Sequence, residues 1–420
     1  MKYYIIFQPS IKSIGGEEMY TRNKIISARE QGYTPIVIHE NKGSRIFVEE
    51  LRPFLKNYSI LFKLPPSVFP KIILRKVIHK MLSWIPDYNE GECIIESHEV
   101  TGAEWAELLA AHIKAKHLAY MLLEHHCLNE YQYRFFKYKY DRKELVGITS
   151  ETVPQMFEPY IPNIEGYFLK AYCNNTLADI DFDEKLKVGQ ADYTIGTIGR
   201  TNKEYVQPML KAVIEFILQH KEKYFNFIYV GGAQDKDSEK NVIKKLSNIP
   251  NLKFYLTGLI YPIPIGLVKQ MDVCLASAGS CMISDNCGIP TIAIDGNDYK
   301  GIGIFQKTCV HSLFRGENEP AIELEHFLNE VLIDKKFHKE DKTIFFEPDF
   351  TEHWAFVQKM SDKREYYDVR KIKYSFRNEV LWVAIREYLG NRSYLLITSV
   401  LERIRNLYSN IFKNNGKGRK

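Results

Sequence analysis

Short apolar runs alternate with longer segments of helical periodicity through most of the chain, the pattern of a parallel sheet covered by helices. In the first half, Tyr3–Phe7, Thr34–His39, Ser59–Leu64, Cys93–Ser97, His117–Leu123, Leu145–Ser150 and Tyr167–Cys173 read as strands. A polar stretch from Asp179 to Gln190 interrupts the alternation. It restarts with Tyr193–Gly199, Phe225–Gly231, Leu252–Gly258, Val273–Ala276 and Thr291–Asp295. Two successive open α/β units with a polar joint near residue 185 are the simplest arrangement. Past about residue 345 the strand pattern stops. Phe350 to Met360 reads as a helix with Thr351 as a candidate cap. A charged stretch follows Lys363, and Phe376–Leu389 and Tyr394–Phe412 have helical spacing, the second amphipathic with a basic end.

A length of 420 residues agrees with more than one unit, at about 150 residues per domain. Apolar residues make up 45% and charged residues 26%, an ordinary globular composition that excludes disorder or fibre for the whole. The 57 Lys and Arg against 52 Asp and Glu leave a net charge of +5, too small to argue for a nucleic-acid partner. Lys413, Lys417, Arg419 and Lys420 concentrate that excess in a tail. The seven cysteines show no pair at the two-residue spacing of metal or redox motifs, which points to reduced thiols in a cytoplasmic protein. Tyr3–Phe7 is too short for a signal-peptide core, and no stretch has the length of a membrane span.

Three loops can carry chemistry. Ser13-Ile14-Gly15-Gly16-Glu17-Glu18 lies between the first strand and a helix from Met19 to Gln31. A glycine turn there lets backbone amides approach an anion, and a plain tight turn explains it equally. The strand ending at Gly199 runs into Arg200-Thr201-Asn202-Lys203 and a helix from Val206. Arginine offers a planar fork and lysine a point charge, a combination suited to a diphosphate. Ser277-Ala278-Gly279-Ser280 follows a strand and opens a helix that ends at Cys287, before Gly288-Ile289-Pro290, a second potential anion cradle.

The order of these features, with Val230-Gly231-Gly232, Leu252 to Gly258, Asp272-Val273 and Gly288-Ile289-Pro290, resembles glycosyltransferases of the GT-B fold, nearest to glycosyltransferase family 4, over residues 3 to 360. Glu96-Ser97-His98, Glu124-His125-His126 and Cys173-Asn174-Asn175 fit the first unit of that pattern. The resemblance implies an α/β architecture of two Rossmann-like domains facing a cleft, residues 1–185 on the acceptor side and 186–365 on the nucleotide-sugar side, with a helical, basic-ended extension over residues 366–420. It implies a hexosyltransferase moving a sugar from a nucleotide-diphosphate donor to a glycan or lipid-linked acceptor, with retention, in bacterial surface polysaccharide synthesis, and with no metal needed for chemistry. Arg200 and Lys203 would offset the leaving diphosphate, and His125 or His126 would face the sugar. Gly15, Gly16, Gly199, Gly258, Ser277, Gly279 and Ser280 would shape the donor site. Where the family has a glutamate gripping the ribose this chain has Ile283, which leaves Ser284 or Asp285 as substitutes; Glu204 stands where the family has its lysine.

Two rival readings stay open: a nucleotide-sugar isomerase of the same architecture, and a non-catalytic scaffold. His98, His125 and His126 lack a third ligand at metal spacing and read as loop or core residues. Pro65 through Trp84 interleaves Lys71, Arg75, Lys76, His79 and Lys80 with apolar residues, which suits either a surface helix or contact with an anionic membrane at its cytoplasmic face.

Overall fold

The structure, a computed structural model, describes residues 1–40, 45–122, 128–233, 236–360, 365–373, 396, 399 and 400. The first sheet contains β1 (Tyr3–Phe7), β2 (Thr34–His39), β3 (Leu55–Asn57), β4 (Cys93–Ser97), β5 (Lys116–Met121) and β6 (Leu145–Gly147), in the order β3-β2-β1-β4-β5-β6. After the short strand β7 (Leu177–Ala178) come β8 (Tyr193–Ile198), β9 (Phe225–Val230), β10 (Leu252–Leu256), β11 (Ile263–Pro264), β12 (Val273–Ala276), β13 (Thr291–Ile294) and β14 (Gly301–Ile304). The second sheet has the order β10-β9-β8-β12-β13-β14, while β11 pairs with β7. Pairing is parallel except between β13 and β14.

Strands covered on both faces read as continuous apolar runs because each face meets its own helix layer. Tyr3, Ile5 and Phe7 enter one core while Tyr4 and Ile6 enter the other. Phe227 and Tyr229 divide from Ile228 and Val230 in the same way in the second sheet. A buried ionic knot ties the helices over the first sheet together: Lys139 bridges Glu107 and Glu144, and Glu107 also meets His117.

Two expected strands have other conformations. Within Ser59–Leu64 a short helix, Ile60–Lys63, buries Leu61, and Leu64 is buried just beyond it, a three-residue spacing that a helical turn satisfies and strand alternation does not. Residues 167–173 run along β6 with a single bridge at Phe168 instead of forming a ladder. The helix Thr351–Lys359 returns to the first sheet, where Trp354 stacks on Tyr33 at 5.6 Å and meets Tyr4 edge-on at 5.4 Å. Val369 and Ile372 are buried in the first sheet's core as well. The described residues between Phe350 and Lys373 therefore pack on the first unit, whereas the sequence pattern runs the second unit to residue 365. Thr351 is the first helical residue rather than the cap, and Asp349 accepts from its amide. The helices expected at Phe376–Leu389 and Tyr394–Phe412 lie essentially outside the described residues.

Candidate functional site

Both sheets reverse strand order beside their first strand, between β1 and β4 and between β8 and β12, and ligands of open α/β sheets bind beyond the carboxyl ends of strands at such points. The loops leaving β1, β8 and β12 meet across a cleft of ≈ 910 Å³. Gly15 and Gly16 line it from the first unit; Gly199, Arg200, Lys203, Ser277, Gly279 and Ser280 line it from the second. Eight of the twelve sequence candidates thus come together at one place.

The local backbone explains why small residues sit there. Gly231 has φ 132°, and a Cβ on it would stand 2.1 Å from the Gly199 carbonyl oxygen, so the ends of β8 and β9 can touch only at glycine. Ala278 has φ 56° and ψ −136°, a strained geometry for a residue with a Cβ, just before the helix Gly279–Asn286. The amide of Ala278 donates to the Ser312 carbonyl, which holds that turn. The first amides of a helix have no partner within it and carry its positive end, so Gly279 and Ser280 bring a ready anion site to the cleft wall. Arg200 pairs with no carboxylate among the described residues and faces the same space.

Tyr205, Tyr299 and Phe314 also line the cleft and left no mark in the sequence pattern. The Tyr299 hydroxyl donates to Glu204 at 2.8 Å, so the residue in the place of the family's lysine joins two cleft loops. Among the described lining residues Glu204 is the sole carboxylate. Asn174 and Asn175 reach in from the first unit, and the Asn174 amide meets the Met282 sulfur.

Two candidates are placed elsewhere. Asp285 lines a smaller cavity of ≈ 300 Å³ and pairs with Lys342 at 3.4 Å. Ile283 faces the cleft, and two residues further along a helix is about 200° around it, on the far side. Ser284 is buried and accepts from Thr291, so it is not free for a ribose. Gly258 turns the chain at φ 68° and brings Leu259 and Ile260, rather than itself, to the cleft. His125 and His126 lie outside the described residues. No group of three His, Cys, Asp or Glu side chains among the described residues is arranged to hold a metal.

Beneath the glycine turn lies a buried polar cluster. Glu96, wholly buried, accepts hydrogen bonds from Tyr4, from Tyr20 at 2.8 Å and from His98 Nε2 at 2.8 Å. Burial alone would raise its pKa, but the His98 hydrogen bond and the charges of Lys24 and His98 bring it down to about 2. Lys24 has no hydrogen-bond partner for its ammonium, which sits 4.3 Å from the Trp354 ring centroid and 4.8 Å from that of Phe350; burial lowers its pKa to about 8.

The paired doubly wound sheets and the interdomain cleft define a GT-B fold. No protein-family model matches the sequence, and no curated protein matches it. Among solved structures, a glycosyltransferase from Rickettsia africae ESF-5 is similar over 98% of this chain and 99% of its own, at 16% identity and a TM-score of 0.53. Anabaena HepE, solved with UDP and glucose, is similar over 80% and 91%, at 13% identity and a TM-score of 0.50. The UDP-GlcNAc 2-epimerase from Neisseria meningitidis aligns at a TM-score of 0.40. At these identities the likeness establishes the architecture and leaves function to the site.

Proposed function

We propose that this chain is a glycosyltransferase that holds a nucleoside-diphosphate sugar on its second domain and transfers the sugar to a glycan or lipid-linked saccharide bound on the first. The observation that carries the reading is the convergence on one cleft of Arg200, Lys203 and the start of the helix Gly279–Asn286, opposite the Gly15-Gly16 turn. In transfer, an acceptor hydroxyl oxygen bonds to the anomeric carbon as the bond to the diphosphate breaks, the electron pair leaves on the diphosphate oxygen, and the hydroxyl proton passes to that leaving diphosphate. A guanidinium, an ammonium and helix amides held around the leaving diphosphate stabilise its growing charge without reorganising. The chemistry needs no metal on this reading. The HepE structure with UDP and glucose makes uridine nucleotides the first donors to try.

Retention of configuration, a hexose donor and a role in bacterial surface polysaccharide synthesis belong to the same reading. So does docking on an anionic membrane from the cytoplasm. The helix Lys71–Leu82 buries Leu74, Val77, Ile78 and Met81 and exposes Lys71, Arg75, Lys76, His79 and Lys80, with Ile72 projecting among them at 66% exposure. No helix among the described residues is long and apolar enough to cross a membrane.

The test is incubation with uridine, guanosine, cytidine and adenosine diphosphate sugars, following free nucleoside diphosphate and altered sugar nucleotide. Release that rises when glycan acceptors are added supports transfer. An epimerised sugar nucleotide without acceptor would make the chain an isomerase, and no turnover or binding of any donor would leave a scaffold.

A further inference from the structure

Resting on the nucleotide reading of the cleft, we propose that His98 is a positioning residue: its buried imidazolium takes up the charge of Glu17, so that the glycine turn opening the helix Gly16–Glu30 is left to an anionic ligand. Glu17 and Glu18 occupy the first turn of that helix, immediately after the Gly15 and Gly16 that line the cleft. Carboxylates in this position compete with a bound anion for the helix's positive end. The structure diverts both. Glu18 turns back to accept from the Ser13 hydroxyl at 2.8 Å and the Ser13 amide at 3.2 Å. Glu17 lies 3.7 Å from His98 Nδ1.

His98 stands at the end of β4, its side chain wholly buried, with Nε2 on Glu96 at 2.8 Å. Nδ1 is buried and has no hydrogen-bond partner. Both ring nitrogens therefore face carboxylates. A neutral imidazole would aim a lone pair at one of them, whereas the imidazolium has a proton for each. Although burial opposes the charge, the facing carboxylates of Glu17 and Glu96 raise the His98 pKa. The Tyr20 and Tyr120 rings pack edge-on at 5.4 Å and 6.3 Å. Beyond Glu96 lie Lys24 and Tyr4, and beyond Tyr20 lies His353, whose pKa is lowered to about 4, chiefly by burial. Glu99, with a pKa raised to about 7 chiefly by burial, and Glu40 beside it are further acids of this edge. A single imidazolium between two carboxylates leaves the helix start nearer neutral than its sequence suggests.

The test is calorimetric titration of UDP into wild type, His98→Gln, Glu17→Gln and the double variant. His98→Gln keeps a donor toward Glu96 but no charge, and should weaken UDP about two- to thirtyfold, the range of a charge at a helix end. Removing Glu17 as well should return affinity to within about twofold of Glu17→Gln alone, because nothing remains to neutralise. Unchanged affinity in His98→Gln, or a double variant as weak as His98→Gln, would overturn the proposal. Should His98→Gln fail to fold, ¹³C-labelled histidine resonances of wild type and Glu17→Gln decide the matter. His98 should be charged at about pH 7 and titrate lower without Glu17; a neutral His98 there would overturn the proposal. If UDP and the other nucleoside diphosphates fail to bind wild type, the nucleotide reading falls and the cleft role of His98 with it, while the resonances still report whether Glu17 and His98 form a charged pair.

Discussion

Glu96→Gln removes one charge from the centre of the first domain and keeps the shape of the side chain. The carboxylate is wholly buried and accepts from Tyr4, Tyr20 and His98, with the Lys24 ammonium nearby. A drop from the ordinary 4.5 to about 2 corresponds, at about 1.4 kcal/mol per pH unit, to about 3 kcal/mol of folding stability at neutral pH. Because the folded pKa lies below the unfolded one, this contribution is complete above 4.5 and fades as pH falls toward 2. Glutamine also leaves Lys24 and His98 as buried cations with less to offset them, which adds to the loss. Urea unfolding followed by tryptophan fluorescence reports on this domain, since three of the four tryptophans, Trp84, Trp105 and Trp354, pack in the cores of the first sheet. The variant should lose about 3 kcal/mol at about pH 7, with the gap narrowing in acid. An unchanged midpoint at neutral pH, or a gap independent of pH, would refute the reasoning.

Other changes have defined outcomes. Gly231→Ala would force a Cβ against the Gly199 carbonyl, so it should cost about 1–3 kcal/mol and weaken UDP binding, both read by thermal melts with and without ligand. Trp354→Ala removes the ring packed on Tyr4, Tyr33 and Lys24 and should cost about 3–5 kcal/mol by the same fluorescence assay, read from Trp84 and Trp105. Converting Lys71, Arg75, Lys76 and Lys80 to glutamine should abolish flotation with phosphatidylglycerol vesicles, at about 1 kcal/mol per basic residue. Equal flotation of variant and wild type would count against that face.

The strands at the centre of each sheet were legible because both of their faces are buried, so β1, β2, β4, β8 and β9 are dominated by apolar residues with few polar ones among them. The cleft glycines and Arg200 were legible because their position between a strand and a helix is itself the signal. Lys24 was not. It is buried because the helix Thr351–Lys359 lies over its own helix, where the Trp354 indole donates to Ser27 across 327 residues of sequence. His98 reads from sequence as an ordinary loop or core residue because, besides Glu96 on its own strand, it meets Glu17 and Tyr20 from another element. Asp285 carries the charge that suits a ribose contact, but helical phase gives the cleft to Ile283 and turns Asp285 toward Lys342. β14 carries little strand signal in sequence, since two of its four residues are glycine.

The central claim is that the second domain binds a nucleoside diphosphate through Arg200 and the helix Gly279–Asn286. Calorimetric titration of UDP into wild type and Arg200→Ala tests it most directly. Wild type should bind, and the variant should bind about ten- to a hundredfold more weakly, the worth of one charge-assisted pair. Equal affinity in the two proteins, or no heat of binding from UDP or any other nucleoside diphosphate, would contradict it.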